Sequence, residues 1–204
     1  MDITAVTSIG GKGSRIYSFS KGIPKGLLEI NGKTVLFRIA EQISYCGIKE
    51  LLLLGGYKSE MFDREILKIE NQLNIKISNY IEEHPLGECG ALWKVKDRIS
   101  TKNLLFVLGD IVFDVDLLRF INFHKRLKSS FSLISHITLH PEDSDLIRAP
   151  NGTQITDFKF KKDKNKKKFR GFLGNAGISL FEKDILEIIK PAEDKENKTI
   201  FRNL

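Results

Sequence analysis

Short apolar segments recur along the first half of the chain and divide it into strands and helices. Residues 3–9, 50–56 and 104–108 contain apolar runs of strand length, and glycines lie at the end of each of them. Runs of this kind without regular polar alternation are typical of strands buried on both faces. Between the first two, apolar residues at helical spacing predict a helix from Thr34, which can cap its start, to about Tyr45. The pattern therefore predicts buried strands that alternate with amphipathic helices.

The remaining segments first continue this alternation and then change it. The pattern predicts a helix over 58–73, a strand from 75 into Glu82, helices over 91–99 and 114–128, and short strands near 131–137, 146–148, 153–160 and 175–181. Strand–helix alternation indicates βαβ units, so the predicted fold class is α/β. We expect a Rossmann-like mixed, mainly parallel sheet with helices on both faces. No repeat or linker separates a second domain, so 1–204 is predicted to be one domain, short at its C-terminal end.

The segment after the first strand is rich in glycine. Three glycines, a hydroxyl and two cations occur within six residues: Gly10, Gly11, Lys12, Gly13, Ser14 and Arg15. Backbone amides with no Cβ in the way, together with a guanidinium, suit a polyphosphate. A dinucleotide fingerprint is excluded because it requires glycine in place of Ile16, and a Walker A loop is excluded because Leu27 stands where its first glycine belongs. We interpret the segment as a nucleotide-phosphate loop; an ordinary strand-to-helix turn is the alternative.

The charge of the chain is concentrated in one place. The formal net charge is +7, and the run from Lys159 to Arg170 alone carries eight cations and one anion. A single lysine-rich run is usually a solvated loop, so nucleic acid is not the expected partner, although binding through this run is an alternative. No apolar run has the length of a membrane span and no signal-type segment begins the chain, so we expect a cytoplasmic protein without membrane contact. Cys46 and Cys89 match no metal spacing and are expected to pack as reduced thiols.

Charged residues at the predicted strand ends suit a nucleoside triphosphate. Asp110 follows an apolar strand and a glycine, which places an oxygen ligand for Mg²⁺ at the edge of the sheet. Lys25 can neutralise charge on the phosphorus under attack, and Arg15 can hold the leaving pyrophosphate. Glu82 or Glu83 can accept hydrogen bonds from a base, and a carboxylate favours guanine, whose N1–H and amino group are both donors. A solvated glutamate and a turn-forming aspartate are the alternatives.

Six motifs occur in the order found in one family of enzymes. They are Gly10-Gly11-Lys12-Gly13-Ser14-Arg15, Pro24-Lys25, Glu82-Glu83-His84-Pro85-Leu86-Gly87-Glu88-Cys89-Gly90-Ala91-Leu92, Gly109-Asp110, His140-Pro141-Glu142-Asp143-Ser144-Asp145-Leu146 and Asn175-Ala176-Gly177-Ile178. In this order the sequence resembles the sugar-1-phosphate nucleotidyltransferases, and most of all their heptose-phosphate and mannose-1-phosphate guanylyltransferase branch. The resemblance extends over nearly the whole chain, and it is specific for the superfamily but not for the sugar.

The resemblance implies the nucleotide-diphospho-sugar transferase fold and one displacement without a protein nucleophile. A sugar 1-phosphate would attack the α-phosphorus of GTP with the help of Mg²⁺, releasing pyrophosphate and forming a nucleotide-sugar. Residues from 1 to about 112 would form the nucleotide-binding half, and residues from about 113 to 204 would form the sugar-binding half. A homo-oligomer is compatible with the sequence. The resemblance implies that the nucleotide is bound by Gly10, Gly11, Gly13 and Ser14, and that Arg15 binds its outer phosphates and Lys25 its α-phosphate. It implies that Glu82 and Gly87 contact the base and that Asp110 binds the metal. Asn175, Gly177 and Asp145 would lie on the sugar side.

The sequence departs tolerably from the family pattern at Ile9, where alanine is usual, and at Gly26, where a second proline is usual, and it departs more seriously in two other places. Lys159-Phe160-Lys161-Lys162 stands where a Glu-Lys-Pro that helps to hold the sugar is expected. A Trp-x-Asp-Ile-Gly-Thr-Pro-like stretch, which supplies a second aspartate to the metal in relatives, does not occur before Leu204. Asp114, Asp116 or a partner chain would then have to compensate, or the chain is a weakened or truncated enzyme. A second hypothesis therefore stays open, namely a nucleotide-binding or regulatory subunit without full activity.

Overall fold

A computed structural model describes residues 1–11, 20–56, 58–84, 86–161 and 173–188. Its strands are β1 (Ile3–Ser8), β2 (Glu29–Ile30), β3 (Lys33–Thr34), β4 (Glu50–Gly55), β5 (Lys76–Ile81), β6 (Asn103–Leu108), β7 (Phe131–Ile137), β8 (Leu146–Arg148), β9 (Asp157–Lys159) and β10 (Leu173–Glu182). Its helices are α1 (Val35–Tyr45), α2 (Asp63–Gln72), α3 (Gly87–Val95), α4 (Leu117–Leu127) and α5 (Ile185–Ile188). Short 3₁₀ turns lie at Lys25–Leu27, Ser59–Phe62 and Lys96–Arg98.

Eight of the described strands form one mixed sheet. Strands β5, β4, β1 and β6 are neighbours in that order and run parallel. Strand β10 is antiparallel to β6, and it also pairs with β7 and β8, while β9 continues the sheet beyond β8. The predicted α/β fold, with parallel strands in the first half and antiparallel additions in the second, is confirmed.

The parallel strands are buried on both faces, as their continuous apolar runs predict. Successive side chains of a strand point to opposite faces, so Leu51 and Leu53 pack in one cluster with α1, α2 and α4, while Leu52 and Leu54 pack in the other with α3 and α5. Cys46 is buried in the first cluster, which confirms its packing role. Burial raises the pKa of the Cys46 thiol, and the nearby Asp116 carboxylate raises it further.

Two helix predictions were right in their centre and wrong at their start. The helix predicted over 91–99 begins four residues earlier, at Gly87, because Gly90 leaves room for the preceding turn: a Cβ at Gly90 would lie 2.7 Å from that of Leu86. The helix predicted over 114–128 begins only at Leu117, since Asp116 is its N-cap and accepts a hydrogen bond from the Arg119 amide at 2.8 Å. Asp116 therefore caps a helix.

Two other predicted elements are shorter than expected. The helix predicted over 58–73 is a 3₁₀ turn, Ser59–Phe62, followed by α2. The strand predicted over 153–160 is reduced to β9, because the Asn151 side chain accepts hydrogen bonds from the amides of Thr153 and Gln154 at 3.2 and 2.9 Å. Those amides belong to a turn and are not available to a strand. None of the described helices is long and apolar enough to cross a membrane.

Candidate functional site

The four parallel strands end together, and the residues that follow them form what we call the carboxyl edge. Short hydrogen bonds hold these strand ends in place. The Ile9 amide donates to the Leu54 carbonyl at 2.8 Å, the Glu82 amide to the Gly55 carbonyl at 2.9 Å, and the Gly109 amide to the Ser8 carbonyl at 3.1 Å. The carboxyl edge thus brings together Gly10, Gly56, Glu82, Gly109 and Asp110.

Glycine is required where the strand ends approach most closely. A Cβ at Gly109 would lie 2.1 Å from the Ser8 carbonyl oxygen, and a Cβ at Gly10 would lie 3.3 Å from the Gly56 nitrogen. By contrast, no atom of the described residues lies within 4 Å of a Cβ built at Gly11. The predicted loop residues Gly13, Ser14 and Arg15 lie outside the described residues.

Glu82 lies over the glycine strand ends. One of its carboxylate oxygens is 3.6 Å from the Cβ position of Gly10 and 3.7 Å from that of Gly56. Burial raises the pKa of the half-buried Glu82 carboxyl, and a hydrogen bond from the Leu86 amide at 3.3 Å opposes that rise. Gly87, with φ of 71°, begins α3 directly after this contact. Glu82 and Gly87 therefore lie at the same end of the carboxyl edge.

Lys25 and Asp110 meet directly. The Lys25 ammonium donates to the Asp110 carboxylate at 2.6 Å, and the two side chains are 30% and 41% exposed. The turn below Lys25 packs against the strand end: a Cβ at Gly26 would lie 3.0 Å from the Phe62 ring and 3.4 Å from the Gly109 carbonyl oxygen. Two residues that are 85 positions apart in the chain are thus held at one point of the carboxyl edge.

The Asp110 carboxylate offers a divalent cation one oxygen-ligating group. The Lys25 ammonium occupies this position in the structure, which shows that the carboxylate accepts a positively charged partner there. The described residues contain no group of three or more histidine, cysteine or acidic side chains that could hold a metal by themselves. Asp116, considered as a second ligand, caps α4. Asp110 would therefore hold a metal together with oxygen atoms of a bound ligand or water.

The predicted sugar-side residues also come together. The Asn175 amide donates to the Asp145 carbonyl at 3.0 Å, and the Asn175 side chain accepts from the Gly177 amide at 3.0 Å. The Asp145 carboxylate accepts from the Lys161 amide at 2.7 Å, so it organises this turn. Gly177 has a φ of 78°, and a Cβ there would lie 2.7 Å from the side chain of Leu108, two residues before Asp110. The residues predicted for the sugar side are therefore direct neighbours of the β6 strand end.

Several residues of the carboxyl edge were not singled out from the sequence. Gly56 contacts Glu82. The sequence signal for this position was the pair Gly55-Gly56, which ends the second apolar run. Lys58 donates to the Gly22 carbonyl at 2.7 Å and so ties the segment before Lys25 to the end of β4. No sequence signal pointed to this long-range contact.

The described part of the lysine-rich run is paired locally. Lys159 lies 3.5 Å from Asp157, and Lys161 lies 2.6 Å from Asp143. Residues 162–170 lie outside the described residues, so the expectation that nucleic acid is not a partner stays a prediction.

The fold and the carboxyl edge define an α/β protein whose candidate ligand site lies at the ends of its parallel strands. A family model described as nucleotidyl transferase matches residues 5–202. The chain belongs to this nucleotidyl transferase family.

Two curated relatives point to the guanylyltransferase branch. The chain is 36% identical over 187 residues to a D-glycero-alpha-D-manno-heptose 1-phosphate guanylyltransferase of Campylobacter jejuni, a match that covers 89% of this chain and 76% of that protein. It is 26% identical over 199 residues to a mannose-1-phosphate guanyltransferase of Yarrowia lipolytica, covering 96% of this chain but 54% of that protein. The resemblance predicted from the six motifs is confirmed. The chain spans about half the length of the Yarrowia relative.

Solved structures confirm the fold. A putative glucose-1-phosphate thymidylyltransferase from Bacillus anthracis superposes with a TM-score of 0.84 at 18% identity, covering 96% of this chain and 78% of that one. HddC from Yersinia pseudotuberculosis, solved in complex with GMP-PN, superposes with a TM-score of 0.72 at 24% identity, covering 96% of this chain and 81% of that one. At these identities the likeness concerns the fold alone.

Proposed function

We propose that this chain is a Mg²⁺-dependent sugar-1-phosphate nucleotidyltransferase that transfers GMP from GTP to a heptose- or mannose-type sugar 1-phosphate. The observation that carries the proposal is the carboxyl edge, where open glycine backbone, the Lys25–Asp110 pair and a half-buried Glu82 lie side by side. Family membership and the two guanylyltransferase relatives support the same activity. The products are a nucleotide-sugar and pyrophosphate.

The proposed roles follow the order of the strands. Residues 1–112 form the nucleotide-binding half, in which Gly10 and Gly11, with Gly13 and Ser14, offer backbone and hydroxyl donors to the phosphates, and Arg15 holds the outer ones. Residues 113–204 form the sugar-binding half, in which Asn175 and Gly177 face the acceptor. Asp145 supports them, because its carboxylate accepts from the Lys161 amide in the same turn.

The reaction is one substitution at the α-phosphorus. A phosphate oxygen of the sugar 1-phosphate forms a bond to that phosphorus, while the bond to the bridging oxygen between the α- and β-phosphates breaks and its electrons leave with pyrophosphate. Lys25 would neutralise the charge that builds up around the α-phosphate. Asp110 would hold Mg²⁺, which supplies charge neutralisation and orientation of the phosphates when it is bound.

Glu82 is proposed to select the base. An ionised carboxylate accepts two hydrogen bonds, and guanine presents two neighbouring donors, N1–H and the amino group. Because the carboxyl is half-buried beside Gly10 and Gly56, two donors from a base would satisfy an anion that burial disfavours. Uracil and thymine present one ring donor with flanking carbonyl acceptors, so the carboxylate would repel them.

The test is release of pyrophosphate from GTP, Mg²⁺ and a panel of sugar 1-phosphates. We expect turnover with GTP and a heptose or mannose 1-phosphate, a loss of at least about 100-fold in kcat for Asp110→Asn and Lys25→Met, and near-normal turnover for Lys33→Met. Lys33 is the matched control, since it forms an ion pair of 2.7 Å with Glu41 on α1. Turnover with UTP or dTTP alone would refute the base assignment.

A second candidate function is a binding or regulatory subunit. It is favoured because the described residues contain no group of three or more histidine, cysteine or acidic side chains that could hold a metal around Asp110. It predicts binding of GTP or a sugar phosphate without pyrophosphate release, and restoration of turnover by a partner chain.

Light scattering with and without nucleotide would show whether the chain forms a homo-oligomer. Because its proposed substrates are cytoplasmic metabolites, we expect the protein to act in the cytoplasm.

A further inference from the structure

The pairing of Lys25 with Asp110 has a consequence for the order in which ligands bind. We propose that the Lys25 ammonium occupies the metal position on Asp110 until a nucleotide arrives, so that the chain takes up its divalent cation together with the nucleotide and only weakly before it. Lys25 would then be a positioning residue for the metal as well as a phosphate ligand. This inference rests on the proposed nucleotide site but does not require turnover.

The backbone below Lys25 is fixed, which confines any exchange to the side chain. The Leu27 amide donates to the Pro24 carbonyl at 2.9 Å, and the Leu28 amide donates to the Lys25 carbonyl at 3.1 Å. Gly26 lies against the Gly109 carbonyl, where there is no space for a bulkier residue without a shift of the Phe62 ring. The ammonium can therefore leave Asp110 by rotation of its own four-carbon chain, with no change of the fold.

The ammonium and a divalent cation compete for the same group. A metal needs a carboxylate oxygen as a ligand, and one Asp110 oxygen already accepts from Lys25 at 2.6 Å. A cation that approaches the nucleotide-free chain must displace the ammonium and remain close to its positive charge. In the nucleotide-free chain, Lys25 therefore opposes metal binding.

A bound nucleotide reverses the effect of Lys25 on metal binding. Its phosphates offer Lys25 a stronger anionic partner than one aspartate, and they supply the metal with the additional oxygen ligands that the described residues lack. Both cations are then accommodated, with the metal on Asp110 and the phosphates, and Lys25 on the phosphates. Substitution of Lys25 should consequently strengthen metal binding without nucleotide and weaken it with nucleotide.

This reversal distinguishes the proposal from a surface ion pair with no role. We would measure Mn²⁺ binding by the loss of the free-ion electron paramagnetic resonance signal, with and without a GTP analogue whose α–β bridge cannot be cleaved. For Lys25→Met we expect Mn²⁺ affinity to rise about 3- to 5-fold without the analogue, since partly exposed ion pairs are worth up to about fivefold. With the analogue we expect the affinity to fall about 10-fold, the scale of a lost charge-assisted hydrogen bond.

Matched variants make the result interpretable. Lys33→Met removes an ion pair of similar length away from the carboxyl edge and should change neither affinity by more than about twofold. Asp110→Asn should abolish Mn²⁺ binding without the analogue and weaken it with the analogue, where the phosphates still supply ligands. Lys25→Arg keeps the charge and should retain weak nucleotide-free binding. Circular dichroism and thermal unfolding would show that each variant is folded.

Two results would overturn the inference alone, with the proposed function intact. They are unchanged or weaker nucleotide-free Mn²⁺ binding in Lys25→Met, and wild-type Mn²⁺ affinity that is the same with and without the analogue while GTP is turned over. If no Asp110-dependent Mn²⁺ binding occurs in any condition, both the inference and the proposed metal role are wrong. The reversal of sign for Lys25→Met, absent in Lys33→Met, would support both.

Discussion

Replacement of Gly109 by alanine should disrupt the carboxyl edge more than any comparable change. The added Cβ would lie 2.1 Å from the Ser8 carbonyl oxygen and 3.0 Å from its carbon, whereas real Cβ atoms essentially never come within 3.0 Å. The neighbouring atoms are backbone atoms of β1, so the strand ends must separate by roughly 1 Å, because a close-packed interior has no room to absorb the shift.

The cost of Gly109→Ala can be estimated from its parts. Separation of the strand ends breaks the hydrogen bond from the Gly109 amide to Ser8, worth about 0.5–1.5 kcal/mol, and the overpacking itself costs about 1–3 kcal/mol. We therefore expect a loss of about 2–4 kcal/mol in the free energy of unfolding. For a chain of this size that loss corresponds to a decrease of about 4–16 °C in Tm. Asp110, the next residue, would move with the strand end.

Chemical denaturation and thermal unfolding would measure this effect, with Gly11→Ala as the control. Within the described part of the chain no atom lies within 4 Å of a Cβ at Gly11, so that variant should lie within about 0.5 kcal/mol of the wild type. Pyrophosphate release from GTP should fall in Gly109→Ala even where the variant is still folded. A Gly109→Ala protein as stable as Gly11→Ala would show that the close contact between the ends of β1 and β6 is not a constraint.

Three further predictions concern single side chains. Burial raises the pKa of Glu82 above its ordinary value of 4.5, so the ionised carboxylate lowers the stability of the fold as the pH rises through that raised pKa. Glu82→Gln should therefore unfold at a higher Tm than the wild type at pH 8, and the difference in Tm should disappear near pH 4. Binding of GTP should fall in the same variant. Thr34→Ala should lower the unfolding free energy by about 1–2 kcal/mol, since its hydroxyl accepts from the Phe37 amide at 3.0 Å, and Thr34→Ser should restore most of it. Gly177→Ala should cost more in urea unfolding than Gly152→Ala, because both have positive φ but only Gly177 also contacts a leucine of β6; equal costs would contradict the packing argument.

Local patterns predicted the parts of the fold that local physics determines. The apolar runs gave β1, β4 and β6 because strands buried on both faces need no polar alternation. The start of α1 was predicted from Thr34, and the Thr34 side chain caps the first turn of that helix as expected. The candidate site followed from the same logic, since residues after parallel strands must meet at one edge of the sheet.

Contacts between distant segments were not accessible from the sequence. Lys25 was assigned to the α-phosphate and Asp110 to the metal, but their direct pairing depends on how the Lys25–Leu27 turn packs against the end of β6. The position of Glu82 beside Gly10 likewise depends on how the segment after β5 packs against the ends of β4 and β1. The start of α3 was placed too late because glycine disfavours helices in general, whereas Gly90 is needed for close packing.

The order of the strands would let one edge serve the two proposed substrates. Glu82 follows β5, Gly10 follows β1, Asp110 follows β6, and Gly177 lies in β10. Across the sheet, the roles proposed for these residues therefore follow the order base, phosphate, metal and sugar. Neighbouring strands are about 4.8 Å apart, so β5 and β6 are separated by about 14 Å, which suits a nucleotide laid along the edge. The acidic Glu82 would repel phosphates, which favours the base at that end, while Lys25 and a metal on Asp110 would attract the phosphates at the other. The antiparallel β10 then brings the proposed acceptor side next to β6, where the new bond would form.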